Sequence, residues 1–397
     1  MSFDLEHLLV ASVTATFTVA VLAAIISWSQ RKSVPPQRIL TVFFAAFALS
    51  EIDSFLAGLT RDMPQVIRDT SELASFVANF CLMPLILLYV RDLTDLRRHF
   101  EGGATPAWHF VLPGVTLVFS VIVMALPEAT RGTWYTGTAS EMPLPGLGFL
   151  HYGFSFLTGA LLTQWAIYLV WITRLQARHI AQLKQHFAST DGLELRWIVV
   201  LAFALGSYVV QTVAGEILVL SGLQDPIGPL LDSFLVLIIV SSLALWSLRP
   251  SPELQHATES LGEVAEHQGK KYEKSALGAD QSERIARKLL RAMQEDHLYR
   301  DPNLTLHSLS AHVGVSLNYV SQTLNENLGQ SFFEFVNGWR VKEAIPLIEA
   351  GKTTVLAIAY EVGFNSRSSF YSAFKRSTGM TPTAYKTAQK ASREYNA

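Results

Sequence analysis

Seven apolar stretches precede residue 250, and they constrain this chain more than any other feature. They run over about 8–29, 39–59, 73–89, 108–126, 147–173, 197–220 and 229–248. Each holds about 17–27 residues, enough for a helix to cross a hydrocarbon core about 30 Å thick. A soluble protein buries such helices only inside a polar exterior, and seven in succession leave none. The composition agrees: 50% of the 397 residues are hydrophobic and 16% are charged, with a mean hydropathy of +0.27. Residues 1–250 therefore read as a seven-helix transmembrane sensor domain in an all-α chain.

Lys and Arg in the short loops predict its orientation. Arg31, Lys32 and Arg38 follow the first span, Arg91, Arg97 and Arg98 the third, and Arg174, Arg178, Lys184 and Arg196 the fifth. The opposite loops hold only Arg61, Arg68 and Arg131, and the N-terminal tail holds none. Positive loops stay on the cytoplasmic side, so the N-terminus is expected outside a bacterial cytoplasmic membrane and the C-terminus inside. The opening residues MSFDLEH lack the basic start of a signal peptide, so no cleaved leader is expected.

Four acids break the apolar pattern: Glu51, Asp53, Glu216 and Asp232. In this orientation all lie in the outer half of their spans, with His151 and Tyr152 at similar depth. Ionisable groups there face the bundle interior or a wet cavity. They outline an outward-opening pocket for a cationic ligand, a metal ion or a proton, and the plainer reading is neutral or paired groups that tie helices together. His179 and His186 sit in a basic loop without a near third ligand and read as a solvated face, so no metal site is expected there. Trp108, Trp171, Trp197 and Trp246 fit interfacial anchoring. The single cysteine, Cys81, excludes an intrachain disulfide and reads as a small hydrophobe in an apolar helix.

Residues 251–280 form a polar linker, with a reach of roughly 100 Å when extended at ~3.3 Å per residue. Leu254, Ala257, Leu261 and Val264 fall at heptad spacing, but two heptads are too few for a coiled coil. Beyond it, 281–295 predicts a helix with Ile285, Leu289, Leu290 and Met293 on its inner face.

The remaining chain repeats one plan. In 304–327, small Ser310, turn Gly314 and cap Ser316 precede Val320 and Leu324 at i, i+4. In 355–377, small Ala359, Gly363 and Ser366 precede Phe370 and Phe374 at the same spacing. Glycine permits the positive-φ turn, serine caps the next helix, and the apolar pair turns that helix inward. Polar residues are left outside, the layout of a helix-turn-helix. Between the copies, 332–350 predicts a connecting helix burying Phe332, Phe335, Val336, Trp339, Val341, Ala344 and Ile345, with a kink at Pro346.

This double helix-turn-helix, with NGWRVKEA (337–344), GFNSRSSFYSAFK (363–375) and GMTPTAY (379–385), resembles the AraC-type DNA-binding domain. The resemblance covers about a quarter of the chain, placing that domain at 281–397. Ser310 stands where the family usually has Ala. The resemblance implies base reading by Asn318, Ser321 and Gln322 in the first recognition helix, and by Arg367, Ser368, Ser369 and Ser372 in the second. Arg can grip guanine and Asn or Gln adenine in bidentate fashion. Ser316 and Ser366 at helix N-termini, with Arg340, Lys375 and Arg376, suit phosphates. Residues 284–397 carry 14 Lys+Arg against 9 Asp+Glu, the sign such contacts need.

The chain thus reads as a membrane-bound one-component regulator, with double-stranded DNA, the lipid bilayer and an unidentified ligand as partners. Paired DNA sites would favour a homodimer. The alternative is a transporter or channel with a cytosolic regulatory domain, which polar groups along a path through both leaflets would favour. No phosphate loop, HExxH or GxSxG motif is present, and the seventh span has no Lys for a retinal Schiff base, so neither an enzyme nor a cofactor is expected.

Overall fold

A computed structural model of the chain describes residues 2–30, 37–60, 63–94, 107–128, 131, 148–191, 193–221, 223, 227–247 and 278–395. Among them every element is helical, apart from one isolated antiparallel bridge between Phe187 and Thr305. Two compact units result. One joins 1–176 with 195–251, and the other joins 177–194 with 252–397.

The first unit holds α1 (Ser2–Gln30), α2 (Gln37–Ser50), α3 (Ile52–Leu59) and α4 (Gln65–Thr94). A 3-10 turn (Ala107–Phe110) then leads into α5 (Val111–Met124), followed by α6 (Gly148–His186, whose residues from 177 on belong to the second unit), α7 (Trp197–Leu220) and α8 (Gly228–Ser247). Helix α1 packs on α2 and α8, α2 on α4, α4 on α5, and α7 on α8. Helix α4 is the most enclosed, with residues 82–90 buried without interruption. The outward faces are apolar as well: Phe203 is 78% exposed and Val210 69%. Among the described residues six helices are long and apolar enough to cross a membrane, and seven when α2 and α3, bent by 44°, count as one span.

The second unit holds α9 (Ala279–Gln294), α10 (Leu306–Val313), α11 (Leu317–Gln322) with a π-helical turn (Thr323–Asn327), and α12 (Phe332–Ala350). After these come α13 (Val355–Glu361), α14 (Arg367–Thr378) and α15 (Pro382–Tyr395). Helix α12 is the shared wall. Phe332, Phe335 and Val336 enter one core with Leu309, Val320 and Leu324. Val341, Ala344 and Ile348 enter a second with Ile358, Phe370 and Phe374. Packed on both sides, α12 shows no single apolar stripe, and it runs on through Pro346 to Ala350. Trp339 and Ile345 are half-buried.

Two expectations need correction. Leu290 of α9 is 38% exposed, and Ala286 and Ala292 join Ile285, Leu289 and Met293 in the interior instead. His179 is not on a solvated face: it is 1% exposed, with Nε2 3.1 Å from the Leu193 carbonyl oxygen. The reason is that the chain after α6 folds back, so that Leu183 and Leu193 bury one another beside Phe187. The linker heptads at Leu254–Val264 lie outside the described residues.

Candidate nucleic-acid interface

Each reading head is built by local rules. Thr305 caps α10 in a reciprocal capping box with Ser308. Gly314 takes φ 62° at its end, and the Val315 N–H reaches back to the Ser310 carbonyl at 3.1 Å. The second head repeats this bond from the Phe364 N–H to the Ala359 carbonyl at 2.9 Å, with Gly363 at φ 97°. Both are six-residue closures of the Schellman kind. Gly363 has a further reason to be glycine, because a β-carbon there would lie 2.6 Å from the Tyr299 carbonyl oxygen and 2.7 Å from that of Arg300.

Ser366 then caps α14, accepting the Ser369 N–H at 3.1 Å. Phe370, Ala373 and Phe374 turn inward, leaving Arg367, Ser368, Ser372, Lys375 and Arg376 exposed. Arg367 donates from Nη2 to the Tyr371 hydroxyl at 3.2 Å and lies 4.8 Å over that ring, which holds the guanidinium at the start of the helix. In the first head Asn318 is exposed, while Ser321 and Gln322 are half-buried. Gln322 donates to Glu326 at 2.8 Å, and the Ser321 carbonyl accepts from Asn325 at 2.9 Å. Ser316 occupies the cap of α11 without a side-chain cap bond.

Arg340 departs from its expected phosphate role. It is 0% exposed and donates to the carbonyls of Tyr299 (2.7 Å), Asp301 (2.8 Å) and Ala188 (3.4 Å), and to Asn337 Oδ1 (3.2 Å). Burial pushes its pKa down to about 10, against a raising influence from Asp301. It is a core cation. Its place on α12, enclosed from both sides, takes it away from solvent, and only carbonyl oxygens can satisfy so many donors there.

Ser369 also differs from its neighbours: it is half-buried and donates its hydroxyl to Asp191 Oδ1 at 2.5 Å.

Of the acids of the first unit, Glu51 stands half-buried at the break between α2 and α3, and Asp232 is half-buried near the start of α8. Asp53 is turned elsewhere, its Oδ1 accepting from the Ser71 hydroxyl at 2.8 Å. Tyr152 is 71% exposed. The side chains of His151 and Glu216 lie outside the described residues. Sequence reasoning also missed the buried pair of Arg131 Nε with Asp69 Oδ2, 2.6 Å apart. Arg131 was counted as a loop charge, and nothing local distinguishes it from one. A cavity of about 810 Å³ is lined by Trp108, His109, Gln164, Tyr168 and Trp171, placing two of the expected anchoring tryptophans around a concavity.

Residues 309–388 match a family model described as a helix-turn-helix domain. A Streptomyces lividans protein named as an AraC-like transcription regulator is 33% identical over 91 residues, 22% of this chain and 30% of that protein. The uncharacterized HTH-type transcriptional regulator YdeC of Bacillus subtilis is 28% identical over 111 residues, 28% of this chain and 38% of its own length. The solved C-terminal domain of AraT, a response regulator from Geobacillus stearothermophilus, is 26% identical, with 26% of this chain and 84% of that one covered and a TM-score of 0.24. The chain therefore spans 30% and 38% of those two relatives.

Proposed function

We propose that this chain is a transcriptional regulator held in a bacterial cytoplasmic membrane. Its AraC-type heads bind duplex DNA, and its apolar helices sense a ligand from outside or within the bilayer. The observation that carries the reading is the duplicated head: the same glycine turn and carbonyl closure twice, each followed by a short helix with polar residues outward. Arg367, Ser368 and Ser372 on α14, with Asn318, Ser321 and Gln322 on α11, read base edges, while Lys375, Arg376, Ser316 and Ser366 set register on phosphates. The apolar outer faces of α5, α7 and α8 suit lipid, since water would penalise so much exposed hydrocarbon.

On the membrane side, Glu51 and Asp232, both half-buried on apolar helices, are proposed to line the sensing pocket. A ligand that binds two states of the bundle unequally would shift their populations and so the state of the heads.

Chromatin capture of the full-length protein, with Arg367→Ala beside it, tests the reading. Sharp peaks that fade in the variant are expected and would supply operator and target genes. Absence of peaks from full-length protein that is present in the membrane fraction would overturn it.

A further inference from the structure

Residues 187–191 lie between α6 and α7 in the chain, yet they belong to the second unit and reach the second reading head. Ala188 is 1% exposed within the first core. Its N–H donates to the Leu304 carbonyl at 3.2 Å, and its own carbonyl accepts from Asn337 Nδ2 at 3.1 Å and from Arg340 Nη1. Phe187 bridges to Thr305 beside it. From this anchored base the chain extends three residues to Asp191, whose Oδ1 accepts the Ser369 hydroxyl at 2.5 Å. Ser369 sits in the first turn of α14, the 12-residue recognition helix, and its own N–H is capped by Ser366.

We infer that residues 189–191 are an acidic latch on the second reading head, and that α14 engages DNA fully only when Asp191 withdraws. The inference rests on the DNA-binding reading. The first turn of a recognition helix carries positive dipole charge and free N–H groups, which a DNA phosphate approaches. A carboxylate hydrogen-bonded in that turn offers the same chemistry from within the chain and repels the incoming phosphate. The base of the latch, Thr190 included, is buried, whereas the half-buried Asp191 carboxylate is held by the Ser369 hydroxyl and, at 3.4 Å, by that of its neighbour Ser189, so the Asp191 side chain is the part that can move. Five residues separate Asp191 from the start of α7 in the sequence, so a change in the apolar helices has a short covalent route to the head.

The test uses the full chain in nanodiscs, titrated with a labelled random-sequence duplex pool over a range of salt. Asp191→Ala should bind roughly tenfold more tightly than the parent, with a salt slope steeper by about one phosphate contact. Asp191→Glu should stay near the parent. A second measurement covers misfolding. Asp191→Cys and Ser369→Cys, placed in a Cys81→Ser background and bridged by a short bismaleimide, should lose affinity on bridging, judged against the same protein unbridged. Equal binding by parent, Asp191→Ala and the bridged pair would overturn the latch while leaving DNA binding intact. Absence of binding from all of them at low salt would overturn the DNA-binding reading and the latch with it.

Discussion

Arg340 Nε donates to the Tyr299 carbonyl oxygen at 2.7 Å, from the interior of α12 to the turn that precedes the first reading head. With its bond to the Asp301 carbonyl, the guanidinium fastens the wall between the two heads to the segment leading into α10.

Arg340→Ala should therefore act on stability. Three carbonyls and Asn337 Oδ1 lose a charged donor, the Ala188 oxygen keeping its bond from Asn337 Nδ2, and each buried acceptor left unpaired costs about 1–3 kcal/mol. Thermal melting of the variant should show a loss of about 2–5 kcal/mol for the C-terminal unit. A normal melting curve with a DNA salt slope reduced by about one contact would restore the phosphate role.

The two turn glycines should not be equivalent. Gly314 has open space where a β-carbon would stand, so Gly314→Ala meets only the left-handed backbone penalty of about 1–2 kcal/mol. Gly363→Ala adds a collision with the carbonyls of Tyr299 and Arg300, which are backbone and cannot rotate aside. Its loss in a denaturant titration should exceed that of Gly314→Ala by at least about 1–3 kcal/mol, the cost of forced repacking.

In the first unit, Asp69 is 0% exposed and holds Arg131, whose Nη1 also donates to the carbonyls of Met124 (2.9 Å) and Leu126 (2.7 Å). Asp69→Ala leaves a buried cation without its anion and should cost about 3–5 kcal/mol. Detergent melting would read this as a large drop. An unchanged melting point would mean that the pair is solvated and contributes little.

Glu334 gives the C-terminal unit an acid-sensitive element. The Ser331 N–H bond, then the Ser331 hydroxyl, hold its carboxyl below the ordinary value of 4.5. A pKa depressed by folding means stability that is complete above about pH 4.5 and lost as pH falls through the folded value. Glu334→Gln should flatten the acid limb of a pH–stability curve below about pH 4.5 and change its shape little at neutral pH. An identical acid limb in both proteins would remove the capping box from the account.

What could be read along the chain was local. Each head is encoded within about twenty residues by a small residue, a glycine, a cap serine and an apolar pair at i, i+4, and the structure repeats those features in the same order. The positions of the apolar helices were legible for a similar reason, since length and hydropathy are properties of a single segment. Arg340 was misread because an arginine on a helix is exposed by default, and its burial depends on carbonyls 39 to 152 residues away. The contact of Asp191 with Ser369 spans 178 residues, and that of Asn337 with Ala188 spans 149. Turns, caps and helix faces follow from neighbouring residues, so the sequence alone determined the two heads and the apolar helices. Only the tertiary structure decided that 187–191 completes the C-terminal unit, because a one-dimensional pattern carries no signal for which distant carbonyl will meet a buried donor.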